Sequence, residues 1–142
     1  MRTKADFKAL RESLGISQQL LADLLGINEK SVRRWEKRHD QGFYNPPQEA
    51  WDLLDDFRKK QLWVVESALQ KVEEIEKNAN QSPRLVNLTY WQNEREYEKA
   101  HPTEGRYYQM ANANSRIAAA VLEMRGYSVS FDFPGLEKVL NG

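Results

Sequence analysis

The sequence predicts a mainly α protein with three parts: an N-terminal head of four to five helices, a long connecting helix, and a small α+β C-terminal dimerisation module. Three observations predict it. Short apolar patterns at helical spacing, punctuated by Gly15 and Gly26, fill the first third of the chain. One uninterrupted helical pattern then runs from Pro46 to about Asn78, and alternating, strand-like stretches occur only after it. A chain of 142 residues holds a small head and a second module but not two large domains. The expected division is residues 1–60 and 61–142.

Each element has a local reason. Phe7, Leu10 and Leu14 recur at helical spacing behind Thr3, which with Asp6 makes an approximate capping pair, and Gly15 ends this first helix. Ser17 caps a second, short helix whose Leu20, Leu21, Leu24 and Leu25 share one face. Gly26 supplies the left-handed turn that releases it. Asn28 caps a third helix, reaching residue 37, with Ser31, Val32 and Trp35 inward or at the border and Glu29, Lys30, Arg33 and Arg34 free. Turn chemistry from Asp40 to Pro47 closes the head, with Asn45 placed to cap the next helix and Pro46 at its first position.

The long helix would span about 50 Å at about 1.5 Å per residue. Its apolar residues are Trp51, Leu54, Phe57, Leu62, Val65, Leu69, Val72 and Ile75. Such a stripe usually finds a partner helix, so Leu62, Val65, Leu69 and Val72 are the expected dimer interface. Asn80, Ser82 and Pro83 break the pattern. Leu85 to Tyr90 reads as a strand, Gln92 to Lys99 as a short helix ended by His101 and Pro102, and Arg106 to Arg125 as an Ala-rich helix stopped by Gly126. In the last strand Tyr127, Val129, Phe131 and Phe133 alternate with Ser128, Ser130 and Asp132. The two strands can pair within one chain or between two.

Composition narrows the function. Lys plus Arg number 21 against 21 Asp plus Glu, so no net charge draws the whole molecule onto nucleic acid or an anionic membrane. Residues 1–44 nevertheless hold nine basic against six acidic side chains, which makes the head locally basic. There is no cysteine and only two histidines, which argues against disulfides, thiol catalysis and a structural metal site. The first residues are charged, and the longest apolar run, Ile117 to Leu122, is too short to cross a bilayer, so a cytoplasmic protein without membrane contact is expected. No nucleophile with its base, acid–base pair, metal cluster or phosphate cradle stands at recognisable spacing, so neither catalysis nor a cofactor is expected. His101 reads as a helix end, and the aromatic residues Trp35, Trp51, Trp63, Trp91, Tyr107 and Tyr108 read as core or dimer interface rather than ligand cages.

The informative stretch is Ser17 to Glu36. There Ser17 is a small cap before Gln18, Ala22 stands mid-helix, Gly26 at a turn, and Val32 precedes a closing Trp35-Glu36. Ala22 suits the crossing, because two helices meeting steeply over a tight turn leave little room there. This pattern resembles the helix-turn-helix of Cro and phage-repressor (XRE-like) regulators over about 60 residues. The resemblance implies that the third helix enters the major groove of double-stranded DNA. It places Gln18 at phosphate and Asn28, Glu29, Lys30 and Arg34 toward the groove. Glu29 could then accept from cytosine N4, and Lys30 or Arg34 could donate to guanine O6 and N7, while Arg33, Lys37 and Arg38 suit phosphates. Two features depart from the family: the charge of Glu29, and the length of the stretch from Lys37 to Asn45.

The C-terminal half is loosely similar to the dimerisation half of YdiL-like regulators and anti-CRISPR-associated autorepressors. Pro83-Arg84-Leu85, Tyr90, Tyr97, His101-Pro102 and the Ala-rich helix at Ser115 to Leu122 carry that likeness. It implies a homodimeric autorepressor and, in some relatives, RNA binding. The other reading is an antitoxin-like interaction module that masks a toxin-like protein partner, with DNA binding secondary.

Overall fold

The computed structural model describes residues 2–38, 43–79, 85–105 and 107–135. Among these the chain forms α1 (Lys4–Ser13), α2 (Gln18–Leu25), α3 (Glu29–Trp35), α4 (Gln48–Ala79), β1 (Val86–Thr89), α5 (Glu94–Ala100), α6 (Tyr108–Met124) and β2 (Val129–Asp132). Two compact units divide them, Met1–Gln61 and Leu62–Gly142, and α4 contributes residues to both. The expected breaks at Asn80, Ser82 and Pro83, residues 39–42 of the expected turn region, and Arg84 and Arg106 fall outside the described residues. Within them the protein is mainly helical with one small sheet, the predicted class.

In the N-terminal unit the helix starts are set locally. Thr3 and Asp6 form a complete capping box: the Asp6 N–H donates to Thr3 Oγ1 at 3.0 Å, and the Thr3 N–H donates to Asp6 Oδ2 at 2.8 Å. Ser17 Oγ accepts from Leu20 N at 3.0 Å, and Gly26 adopts φ 68°, a left-handed value that suits glycine, at the turn between α2 and α3. The fourth helix begins two residues later than Asn45 and Pro46 suggested, at Gln48, with the Pro47 carbonyl accepting from Ala50 and Trp51. A residue that precedes proline is driven out of the α region, so Pro46 cannot be helical before Pro47.

The core joins all four helices: Phe7, Leu14, Ile16, Leu20, Leu21, Ala22, Val32, Ala50, Trp51 and Leu54 are buried. Leu24, expected on the inward face of α2, is instead exposed, and Leu25 is half-buried. Ala22 is fully buried, the small residue the tight α2–α3 turn was expected to need.

The capping box carries a pH dependence. The Thr3 N–H and hydroxyl hold the Asp6 carboxyl below its ordinary value. The unfolded chain therefore takes up this proton more readily than the folded one. The contribution of the box is complete above the ordinary carboxyl value of about 3.9 and is lost as pH falls through the lower folded value. Thermal melts across that acid limb should show a flatter decline for Asp6→Asn than for the natural sequence, and equal slopes would rule the coupling out. Thr3→Ala should cost about 1 kcal/mol at neutral pH.

In the C-terminal unit β1 and β2 pair parallel, with Val86 opposite Val129 and Leu88 opposite Phe131. Parallel pairing needs a long crossover, here α5 and α6. The chain stitches α6 to the end of β1: Asn112 Oδ1 accepts from Trp91 N at 2.7 Å, its Nδ2 donates to Trp91 O at 2.8 Å, and Ser115 Oγ donates to Thr89 O at 3.0 Å. Ala113, Ala118, Ala119 and Leu122 bury one face of α6. Trp91, Tyr97 and His101 pack against one another with ring centroids 4.7 to 5.5 Å apart, a filled aromatic cluster rather than a cage. Tyr97 donates to Glu104 Oε2 at 2.6 Å, and burial together with that bond pushes its phenol up.

Two expectations change. Phe131 and Phe133 are exposed, because β2 ends at Asp132 and the Phe131 ring lies against Tyr90, 5.3 Å away, outside the buried set. Of the expected dimer stripe, Val65 and Val72 are buried within the chain and Leu69 is half-buried, while Leu62 is exposed. Buried positions Leu54, Gln61, Val65 and Val72 are seven, four and seven residues apart. That spacing keeps one helix face and puts Gln61, not Leu62, on it.

Candidate nucleic-acid interface

The turn from α2 to α3 sets the site. Asn28 Oδ1 accepts from Lys30 N at 2.9 Å, which caps α3 and leaves the Asn28 side chain committed to its own helix. Val32, fully buried, anchors α3 on the core. α3 ends at Trp35, two residues short of the expected residue 37, so its outer side carries Lys30 and Arg33 in solvent, while Lys37 and Arg38 are exposed just beyond its end. Lys30 has no ion-pair partner among the described residues, whereas Arg33 Nη1 sits 3.8 Å from Glu29 Oε1 on the next turn back. That pair neutralises part of the Glu29 charge. An exposed pair of this type is weak, about 0.3 to 0.5 kcal/mol, and yields readily to a phosphate or a base edge.

Gln18 lies at the first position of α2, but its amide is occupied, since Nε2 donates to Glu36 Oε1 at 3.1 Å. A phosphate contact from Gln18 therefore falls more naturally to its backbone N–H, one of the donors a helix start leaves without an intrahelical acceptor. Arg34, expected to be free, is half-buried: its guanidinium carbon lies 4.8 Å from the centroid of the Tyr44 ring.

Beneath this surface is a network of charges that fixes the three helices. Arg11 of α1 reaches Glu36, just past α3, in a two-pronged pair, with Nε to Oε2 at 2.6 Å and Nη2 to Oε1 at 2.8 Å. Its Nη1 donates to Ile16 O at 2.8 Å in the α1–α2 turn. The two side chains are only 9% and 3% exposed, so solvent does not screen the pair. Lys4 is also buried, and its Nζ donates to Arg34 O at 3.1 Å and Tyr44 O at 2.9 Å. Further along, Gln61 Nε2 donates to Ser13 O at 2.9 Å, holding α4 to the end of α1.

Lys4, Arg11 and Tyr44 have no part in the helix-turn-helix pattern, and Glu36 enters it only in the closing Trp-Glu. A signal was available for two of them. Lys4, Phe7, Arg11 and Leu14 stand three, four and three residues apart, so both cations occupy the stripe that buries the phenyl and leucyl side chains. A cation at an inward position implies a buried partner. Tyr44 left no comparable mark.

Residues 7–41 match the helix-turn-helix family, a span that runs from the body of α1 through α3 and past its end. A comparison with curated proteins finds no match. The N-terminal unit thus carries an XRE-like helix-turn-helix, the DNA-binding element of transcriptional regulators. No described helix is long and apolar enough to cross a membrane.

Proposed function

We propose that the chain is a homodimeric repressor that reads an inverted repeat in duplex DNA, with α3 in the major groove and Lys30 and Arg34 on base edges. The observation that carries the reading is the exposure of the Lys30 and Arg33 side chains on a helix anchored by the buried Val32, and of Lys37 and Arg38 just past its end. Lys30 and Arg34 are four residues apart and share a face, which suits reading, while Arg33, Lys37 and Arg38 suit the flanking phosphates. Dimerisation is assigned to the C-terminal unit, where Leu62, Trp63, Ile75, Leu85 and Phe133 are exposed at half or more of their surface. Repression follows from occupying a promoter.

Selection of bound fragments from random duplex DNA tests this reading. The recovered sites should be inverted repeats with half-site centres about 34 Å apart or a multiple of that. Lys30→Ala should then cost about 1 to 3 kcal/mol at the selected site and relax one base position. Arg38→Ala should weaken all sequences alike and lower the salt slope by about one. Asymmetric fragments would refute the dimeric reading, and equal effects of the two substitutions on selected and scrambled duplexes would refute base reading by α3.

A further inference from the structure

From the arrangement around Lys4 we infer that Tyr44 is a specificity-determining positioning residue: its ring holds the Arg34 guanidinium ready for a base edge. The inference rests on the base-reading role of α3 proposed above and adds a residue from outside the helix-turn-helix. Three observations carry it. The Arg34 guanidinium lies over the Tyr44 ring at 4.8 Å. One buried ammonium, Lys4 Nζ, donates to the carbonyl oxygens of both Arg34 and Tyr44, at 3.1 and 2.9 Å, and so clamps the end of the recognition helix to the loop that follows it. And Tyr44 has φ 51°, the only left-handed value outside glycine among the described residues.

Each of these has a physical consequence. A bulky side chain avoids the left-handed region, so the conformation persists only where surrounding bonds enforce it, and the Lys4 clamp does so. The reward is not burial, because Tyr44 remains 58% exposed. Its ring instead offers a flat, weakly hydrated surface to a cation. A guanidinium stacked on a ring uses its face, while its N–H donors leave from its edge. A guanidinium held over the ring face is restricted in its motion while its N–H donors stay available to guanine O6 and N7, and no hydrogen-bond acceptor among the described residues occupies them. A long side chain held in advance loses less freedom when it binds, and the gain appears only at a site offering the matching base.

The experiment has one arm without DNA and one with it, both on the full chain. In the free protein the Arg34 δ protons should show an upfield ring-current shift that disappears in Tyr44→Ala and persists in Tyr44→Phe. In competition binding, Tyr44→Ala should lower the ratio of affinities for selected over scrambled duplex by about two- to fivefold, the span of an exposed cation–ring contact. Tyr44→Phe should restore it. Tyr44→Asn, which lacks the ring but tolerates the left-handed backbone, should behave like Tyr44→Ala, and that separates the ring from backbone strain. Absence of the shift in the natural sequence overturns the stacking. An unchanged ratio in Tyr44→Ala, or a ratio that Tyr44→Phe fails to restore, overturns the positioning role while leaving base reading intact. A protein that shows the shift but binds both duplexes alike overturns the base reading itself and this inference with it.

Discussion

Glu36→Ala should destabilise the N-terminal unit by about 3 to 5 kcal/mol, the cost of leaving one partner of a buried ion pair without the other. The substitution strips Arg11 of both carboxylate bonds, at 2.6 and 2.8 Å, and leaves it only the Ile16 carbonyl. An arginine cannot shed its proton, so the charge stays in a site where 9% of the side chain reaches water. Gln18 loses its acceptor as well. Against a total stability of about 5 to 15 kcal/mol for a domain, this is enough to populate unfolded protein. Arg11→Met should be comparably damaging, because it strands the carboxylate. The double variant Arg11→Met, Glu36→Leu should lie much nearer the natural protein than either single one, with a coupling of about 2 kcal/mol or more. Urea unfolding of the four proteins measures this cycle. Single substitutions that cost under about 1 kcal/mol, or that simply add, would show that the pair does not hold the helices. DNA affinity should fall with stability in the single variants, since Glu36 follows α3 directly and its loss frees the end of the recognition helix.

Phe7→Ala should cost a similar amount, about 3 to 5 kcal/mol, by a different route. The ring is fully buried and meets Trp35 and Trp51 edge-on, with centroids 5.8 and 5.0 Å away and planes at 88° and 89°. It is the point where α1, α3 and α4 touch. Removing it takes away the transfer free energy of a phenyl group, opens a cavity between two indoles that cannot readily collapse, and forfeits two edge-to-face contacts. Phe7→Leu keeps most of the volume and should cost about half as much or less. Phe43→Ala, at a ring 72% exposed, should change stability by no more than about 0.5 kcal/mol. Thermal unfolding of the three variants orders them, and a Phe7→Ala protein as stable as Phe43→Ala would mean that the aromatic contact does not organise the unit.

What could be read from the sequence alone was decided within a few residues of itself. Thr3 with Asp6, Ser17 and Asn28 cap where they were expected to, and Gly26 makes the turn, because a cap needs only a short side chain, an N–H two or three residues on and a backbone free to leave the helix. The helix-turn-helix was legible for the same reason, as spaced local signals that had to coincide. Apolarity marks core positions at Phe7, Leu21, Val32 and Leu54, but it does not by itself give an inward direction, as the exposed Leu24 and Leu62 show. Leu62 lies outward and Gln61 inward on α4, because an amide that finds the Ser13 carbonyl can be buried at no loss, and no rule confined to neighbouring residues knows that the carbonyl will be there. The same holds for Lys4, Arg11 and Glu36, whose partners lie 25 to 40 residues away, for the parallel pairing of β1 with β2, and for the Arg34 guanidinium over Tyr44. The sequence by itself determined where α1, α2 and α3 begin and where the chain turns between the last two. The tertiary structure alone decided which charges are buried, which are stacked and which stay free to bind, because a charge takes its energy from groups that only the fold brings within reach.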